Sequence, residues 1–294
     1  MSQLIAQSIV SGVLLGGVYG LVALGLALSF GVLRVLNVAH GELLMLGGYL
    51  AFFAFREWGL DPFVSLPLVF VVMFGFGVLL YLCLFRFVTR TETHTRIKNS
   101  LLVSFGLALV LQALAVRFFT ADERTISTAY SSEAFTIWSI RVPMVRLAGL
   151  VVAIVAAFVL EWVLHRTRFG KALRATSEDW TRAALTGIDV RRIYQIAFAV
   201  SAALAAIAGS MVSLGYSVSP SIGLGWTLKA LIVVVLAGLG SMRGIVVAGV
   251  ALGLVESLSS VWIGGQYREV TALVLFLIVL SFRPLGFFGR AAGA

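Results

Sequence analysis

Asn37, His40 and Glu42 fall within the run Leu36-Asn37-Val38-Ala39-His40-Gly41-Glu42, inside an almost continuously apolar stretch. An amide, an imidazole and a carboxyl group so placed offer three chemistries: ligating a metal, relaying a proton, or satisfying backbone groups at a break in a helix. A metal site wants further ligands at suitable spacing, and the other histidines, His94 and His165, lie in distant basic stretches. No metal is expected. Intramembrane acids and imidazoles do mark proton paths. The plainer expectation is that Asn37 and His40 hold an interrupted helix beside a translocation path, with Gly41 permitting a close backbone approach or an unusual dihedral.

Two further charges sit in apolar segments. Lys229 lies near a segment end, from which it can snorkel to the interface. Glu256 is deeper and needs a hydroxyl or a cation from a neighbouring helix, which the sequence does not name. A different pattern occurs in the basic stretch 166–192. Ser177 suits the cap of a short helix ending near Thr186, with Glu178 and Asp179 in its first turn. Trp180, Ala183 and Ala184 then share one face, Gly187 suits the stop, and Asp189 suits the next cap. Such a helix either lies on lipid headgroups or docks into a cytoplasmic partner. No phosphate-cradling G-x-x-x-x-G-K-[ST], H-E-x-x-H or G-x-S-x-G occurs. The chain reads as a non-enzyme with no catalytic residues, and any ATP that drives it must be hydrolysed by another chain.

The elements that must position these residues are membrane helices. Hydrophobic residues make up 60% of the 294 and charged residues 12%, and mean hydropathy is +1.04, far from the soluble norm. The apolar stretches give an all-α polytopic membrane protein with about 8–9 transmembrane helices. Interruptions are expected near 37–48 and 238–244, the second around Gly238 and Gly240. One membrane domain, 1–294, accounts for the chain, and no cleavable signal pattern stands out. Cys83, the one cysteine, is expected to pack mid-span as a small apolar group.

The net charge of +9 reflects loop bias, and nucleic acid is not an expected partner. Lys and Arg crowd 86–98, 166–192 and 283–290, which places those regions in the cytoplasm and the 120–143 loop outside. Small residues recur every fourth position at Gly12, Gly16 and Gly20, at Ser201, Ala205, Gly209 and Ser213, and at Gly249 and Gly253. These faces are expected to pack within the subunit.

The run 36–42, with Met45 and Gly47-Gly48-Tyr49, resembles the signature of LivH-type permeases of branched-chain amino-acid ABC importers. Arg168 to Ala175, Ser177-Glu178-Asp179 and Ala183 to Ile188 resemble that family's coupling loop, and Ala202 to Gly209 its Ala-rich helix. Lys229-Ala230, Leu236 to Ser241 and Phe282 to Gly286 also match, so the likeness spans nearly the whole chain. Ser177 stands where the family often has Ala, and the long EAA-type motif of other importers is not matched at its usual spacing.

The resemblance implies a multi-pass permease in the bacterial inner membrane, paired with a LivM-like second permease chain. Two ATPase subunits, holding ATP and Mg, would bind the coupling loop 166–192 through Ser177, Glu178, Asp179, Trp180, Ala183, Ala184 and Gly187. A periplasmic binding protein would deliver leucine, isoleucine or valine, and membrane lipid would surround the rest. Two alternatives stay open: the same machine for urea, short amides or other small organic acids, and a stand-alone proton-coupled transporter or channel using His40 and Glu42.

Overall fold

The computed structural model describes residues 2–137, 140–238, 242–283 and 286–288. The chain runs α1 (Ser2–Leu33), α2 (His40–Trp58) and α3 (Pro62–Leu80), which continues through a π-turn (Tyr81–Phe85) into α4 (Arg86–Val88). Next come α5 (Thr93–Phe119), a hairpin of β1 (Ala134–Ile137) and β2 (Ile140–Pro143), and α6 (Met144–Arg166). Two short helices, α7 (Arg168–Glu178) and α8 (Trp180–Leu185), precede α9 (Val190–Gly215), α10 (Ile222–Ala237), α11 (Met242–Trp262) and α12 (Arg268–Phe282). Among the described residues, seven helical stretches are long and apolar enough to cross a bilayer, against the eight or nine expected. Of the other two expected spans, α2 carries Glu42, Arg56 and Glu57, and α10 has only 16 residues.

Contacts show which helix ends lie together. Gln7 Nε2 donates to the Arg141 carbonyl and its Oε1 accepts from the Arg141 N–H, both at 2.8 Å, so the start of α1 meets the outer loop. Tyr130 of that loop donates to Asp61 at 2.6 Å, and Asp61 also caps α3. At the opposite end, Arg96 donates to the Leu33 carbonyl and the Tyr194 hydroxyl. The loop itself folds locally into an antiparallel hairpin, pairing Ala134 with Pro143 and Ile137 with Ile140.

The core is built where small residues let backbones touch. Along α1, Gly12, Gly16 and Gly20 face Leu254, Val250 and Val246 of the antiparallel α11, whose Gly249 and Gly253 face back. On α9, Ser201 donates to the Gly25 carbonyl at 2.6 Å, and Gly209 lies against Leu44 of α2. Van der Waals contact drives helix association in lipid, so these faces fix α1 and α9 at the centre. α5, α6 and α12 turn leucines, valines and phenylalanines outward. Cys83 also faces outward, because it lies two residues from both Tyr81 and Phe85, which hold the buried side.

The interruptions differ from expectation in extent. The irregular backbone is 34–39, where Arg34 has a φ of 55°, and α2 is regular from His40 onward. Gly41, Gly47 and Gly48 are helical, and their role is close approach to Gly223, Ala206 and Val218. At the second site Gly238 (φ 92°) ends α10, whereas 242–244 already belong to α11. Gly240 lies outside the described residues. Beyond α12, Phe287 and Phe288 donate their N–H groups to the Leu236 and Ala237 carbonyls at 2.8 and 3.1 Å, completing the inner end of α10.

A Cβ at Gly16 would overlap the backbone of Gly249 and Val250. Gly16→Leu should lower stability by about 1–3 kcal/mol or more, seen as a fall in melting temperature in detergent. Gly106→Leu, with nothing within 4 Å of its Cβ direction, should melt as the parent does.

Candidate functional site

Beyond the exposed Arg34, the N–H and C=O groups of the 34–39 break must find partners inside the bundle, since lipid offers none. A polar stripe on α5 supplies some of them. Arg96, Ser100 and Ser104, spaced four apart, share one helix face. Ser100 accepts from the Leu36 N–H at 3.1 Å, and Ser104 accepts from the Val38 N–H at 3.0 Å while donating to the Leu36 carbonyl at 3.2 Å. Asn37 turns its Oδ1 onto the Ala39 N–H at 3.1 Å.

The break delivers the start of α2 to the middle of the bundle. His40 Nε2 lies 2.9 Å from the Val22 carbonyl, 11 residues before the end of α1 at Leu33. That is about 16 Å along the helix axis. A carbonyl only accepts, so Nε2 carries the proton. Gly41 packs on the Gly223 backbone so tightly that it tolerates no Cβ, and Thr227 knits the contact together. Its hydroxyl accepts from the Gly41 N–H at 2.8 Å and lies 3.0 and 3.2 Å from the Val38 and Gly223 carbonyls. Two helix starts, those of α2 and α10, therefore meet inside the bundle. The buried carboxyl of Glu42 lies against Gly223, between these two positive dipole ends.

Lys229 and Glu256 also meet. Lys229 does not snorkel to the interface as the sequence suggested. Its Nζ lies 3.6 Å from Glu256 Oε2 and donates to the Tyr19 hydroxyl at 2.9 Å. Tyr19 in turn donates to Glu256 Oε2 at 2.6 Å. The missing partner of Glu256 is thus a tyrosine on α1 backed by a lysine on α10, and no spacing signal connects three residues so far apart in the chain. These side chains point toward their own helix N-termini, which is why residues of antiparallel α1 and α11 converge at one depth.

Residues 8–281 match the family described as branched-chain amino acid transport system / permease component. The chain belongs to this permease family. It is 29% identical to the high-affinity branched-chain amino acid transport system permease protein BraD of Pseudomonas aeruginosa, covering 97% of this chain and 95% of that protein. It is 30% identical to LivH of Escherichia coli (strain K12) with the same coverage. A fructose import permease, FruG of Bifidobacterium longum, is 30% identical over 141 residues, which are 46% of this chain and 41% of that one.

In this permease the residues expected to couple to a partner occupy two helices. Ser177 and Glu178 end α7, and Ser177 donates back to the Arg174 carbonyl at 2.8 Å, so it is no cap. The cap is Asp179, which accepts from the Thr181 and Arg182 N–H groups to start α8. The helix runs through Ser177 because a hydroxyl can bond to its own preceding turn, whereas the extended backbone at Asp179 cannot continue it. Gly187 (φ 86°) and Asp189 do perform the stop and the next cap. Ala183 faces inward and is buried, while Trp180, Ala184 and Leu185 are exposed, Leu185 by 84%.

Thr227→Val keeps the shape of the side chain and removes the hydroxyl that joins the two helix starts. It should destabilise the permease by about 1–3 kcal/mol, because the Gly41 N–H and the Val38 carbonyl lose a partner. Thr227→Ser should stay near the parent, with both compared by thermal unfolding in detergent.

Proposed function

We propose that this permease is the membrane subunit of an ATP-binding-cassette importer in the bacterial inner membrane, carrying branched-chain amino acids handed over by a periplasmic binding protein. The observation that carries the reading is the likeness to BraD and LivH over 97% of the chain. Likeness to the fructose permease stops at under half of it. The whole chain acts as one permease domain beside a second, related permease chain. ATP and Mg are held by two ATPase subunits, and this chain contributes their docking loop, 166–192.

Within that loop the exposed Trp180, Ala184 and Leu185 form the contact, and the inward Ala183 supports it. Asp179 and Gly187 hold α8 at a fixed angle by its cap and its stop. The break at 34–39 and the two helix starts at His40 and Ile222 frame the translocation path, with Asn37, Gly41 and Glu42 shaping it.

The reading is tested by reconstituting the permease pair with and without its ATPases at fixed ion gradients. Leucine uptake should require the ATPases, ATP and loaded binding protein. Equal uptake without them would show a stand-alone carrier instead. His40 serves here as a hydrogen-bond donor to Val22, so His40→Gln, which still donates, should retain most of the uptake. His40→Leu should lose it through misfolding, visible as a drop in folded protein. If His40→Gln is as inactive as His40→Leu at equal abundance, and uptake follows the proton gradient, the imidazole is a relay.

A further inference from the structure

A ladder of aromatic and cationic side chains leads from the outer face toward the centre, and neither the helix break nor the coupling loop uses it. Arg146, in the first turn of α6, holds its guanidinium 5.5 Å from the ring centre of Tyr216. Tyr216 stands edge-on to Trp226 at 6.2 Å, and Trp226 stands edge-on to Tyr19 at 5.8 Å. Lys229 Nζ closes the series 4.9 Å from the Tyr19 ring. Arg146, Tyr216, Trp226 and Lys229 are all half-buried, so each keeps some free surface.

We infer that Lys229 binds the carboxylate of the transported solute at mid-depth, with Arg146 as the outer cation of the same path. This rests on the reading of the permease as an amino-acid importer, and adds to it the residue that holds the solute's carboxylate. An ammonium has three donors. Tyr19 takes one. Glu256 faces a second at 3.6 Å, longer than the roughly 2.7–2.9 Å of a charged hydrogen bond. The tight partner of Glu256 is the Tyr19 hydroxyl at 2.6 Å, so the carboxylate keeps a strong bond if the lysine turns away.

Access agrees with that division. The Lys229 side chain is 20% exposed, whereas that of Glu256 is 0% exposed. A solute can reach the cation without reaching its counter-ion. Trp226, three residues before Lys229 and so on the same helix face, offers apolar surface for an aliphatic side chain. Lys229 and Glu256 together are neutral, and a zwitterionic amino acid adds no net charge to the site, which limits the cost of bringing it into a low-dielectric interior. Intramembrane ionisable groups facing a cavity mark substrate pathways in general. An uncharged solute would have no use for this cation.

The test uses the complete assembly, with both permease chains, ATPases and binding protein, in proteoliposomes, and reads leucine uptake and ATPase stimulation separately. Lys229→Gln and the doubly neutral Lys229→Gln/Glu256→Gln should each lose about tenfold or more in uptake, while stimulated ATPase stays within about twofold, as expected for loss of a charged hydrogen bond to solute. The double variant leaves no charge unpaired, so it guards against misfolding. Lys229→Arg should restore much of the uptake. Uptake within twofold of the parent in the double variant overturns the inference, as does a parallel fall of uptake and ATPase, which marks a purely structural pair. A parent assembly that moves urea but no leucine overturns both the inference and the function beneath it.

Discussion

The constraint on which the rest depends is that the irregular backbone 34–39 runs from the exposed Arg34 into a helical bundle, where lipid cannot bond to it. An unmatched amide there costs several kcal/mol, so hydroxyls from the surrounding helices and the amide of Asn37 are committed to the repair. The α5 stripe of Arg96, Ser100 and Ser104 takes one flank, and Thr227 takes the other. The break thereby ties α1, α2, α5 and α10 into one unit. It also places two helix starts face to face, an arrangement that continuous spans could not produce.

Small residues make that unit compact. Glycines on α1 and α11, and alanines and serines on α9, remove the side-chain layer that would otherwise separate the helices. Polar and apolar packing cooperate here. The hydroxyls of Ser201 and Thr227 reach backbone carbonyls only because the backbones already lie so close. Loss of either kind of contact loosens the other.

Much of this was legible in the sequence, and the remainder fails for identifiable reasons. The cluster Asn37, His40 and Glu42 announces a break because such groups do not sit in lipid unaided. The spacing of Gly12, Gly16 and Gly20 announces a packing face. The partners are not legible: Ser100, Ser104 and Thr227 are ordinary hydroxyls in helical stretches, and pairing them with 36–41 needs the tertiary fold. The same holds for Tyr19, Lys229 and Glu256. Local chemistry misleads at 177–179, where Ser and Asp are comparable caps and the choice depends on which residue leaves the helical backbone. The extent of the first break was overdrawn because Gly47 and Gly48 read as helix breakers, whereas they permit close packing inside α2.

The inner end of α10 has a bearing on how the chain acquires its shape. The carbonyls of Leu236 and Ala237 receive their partners from Phe287 and Phe288, two membrane helices further along the chain. As the ribosome delivers the polypeptide, α10 can enter the membrane early but cannot be pinned at its cytoplasmic tip until α11 and α12 have followed. A chain interrupted before Gly286 would leave the Lys229 helix inserted yet untethered at that end, with open acceptors facing the cell interior. Closure of this helix end thus waits on backbone donors laid down two membrane helices later.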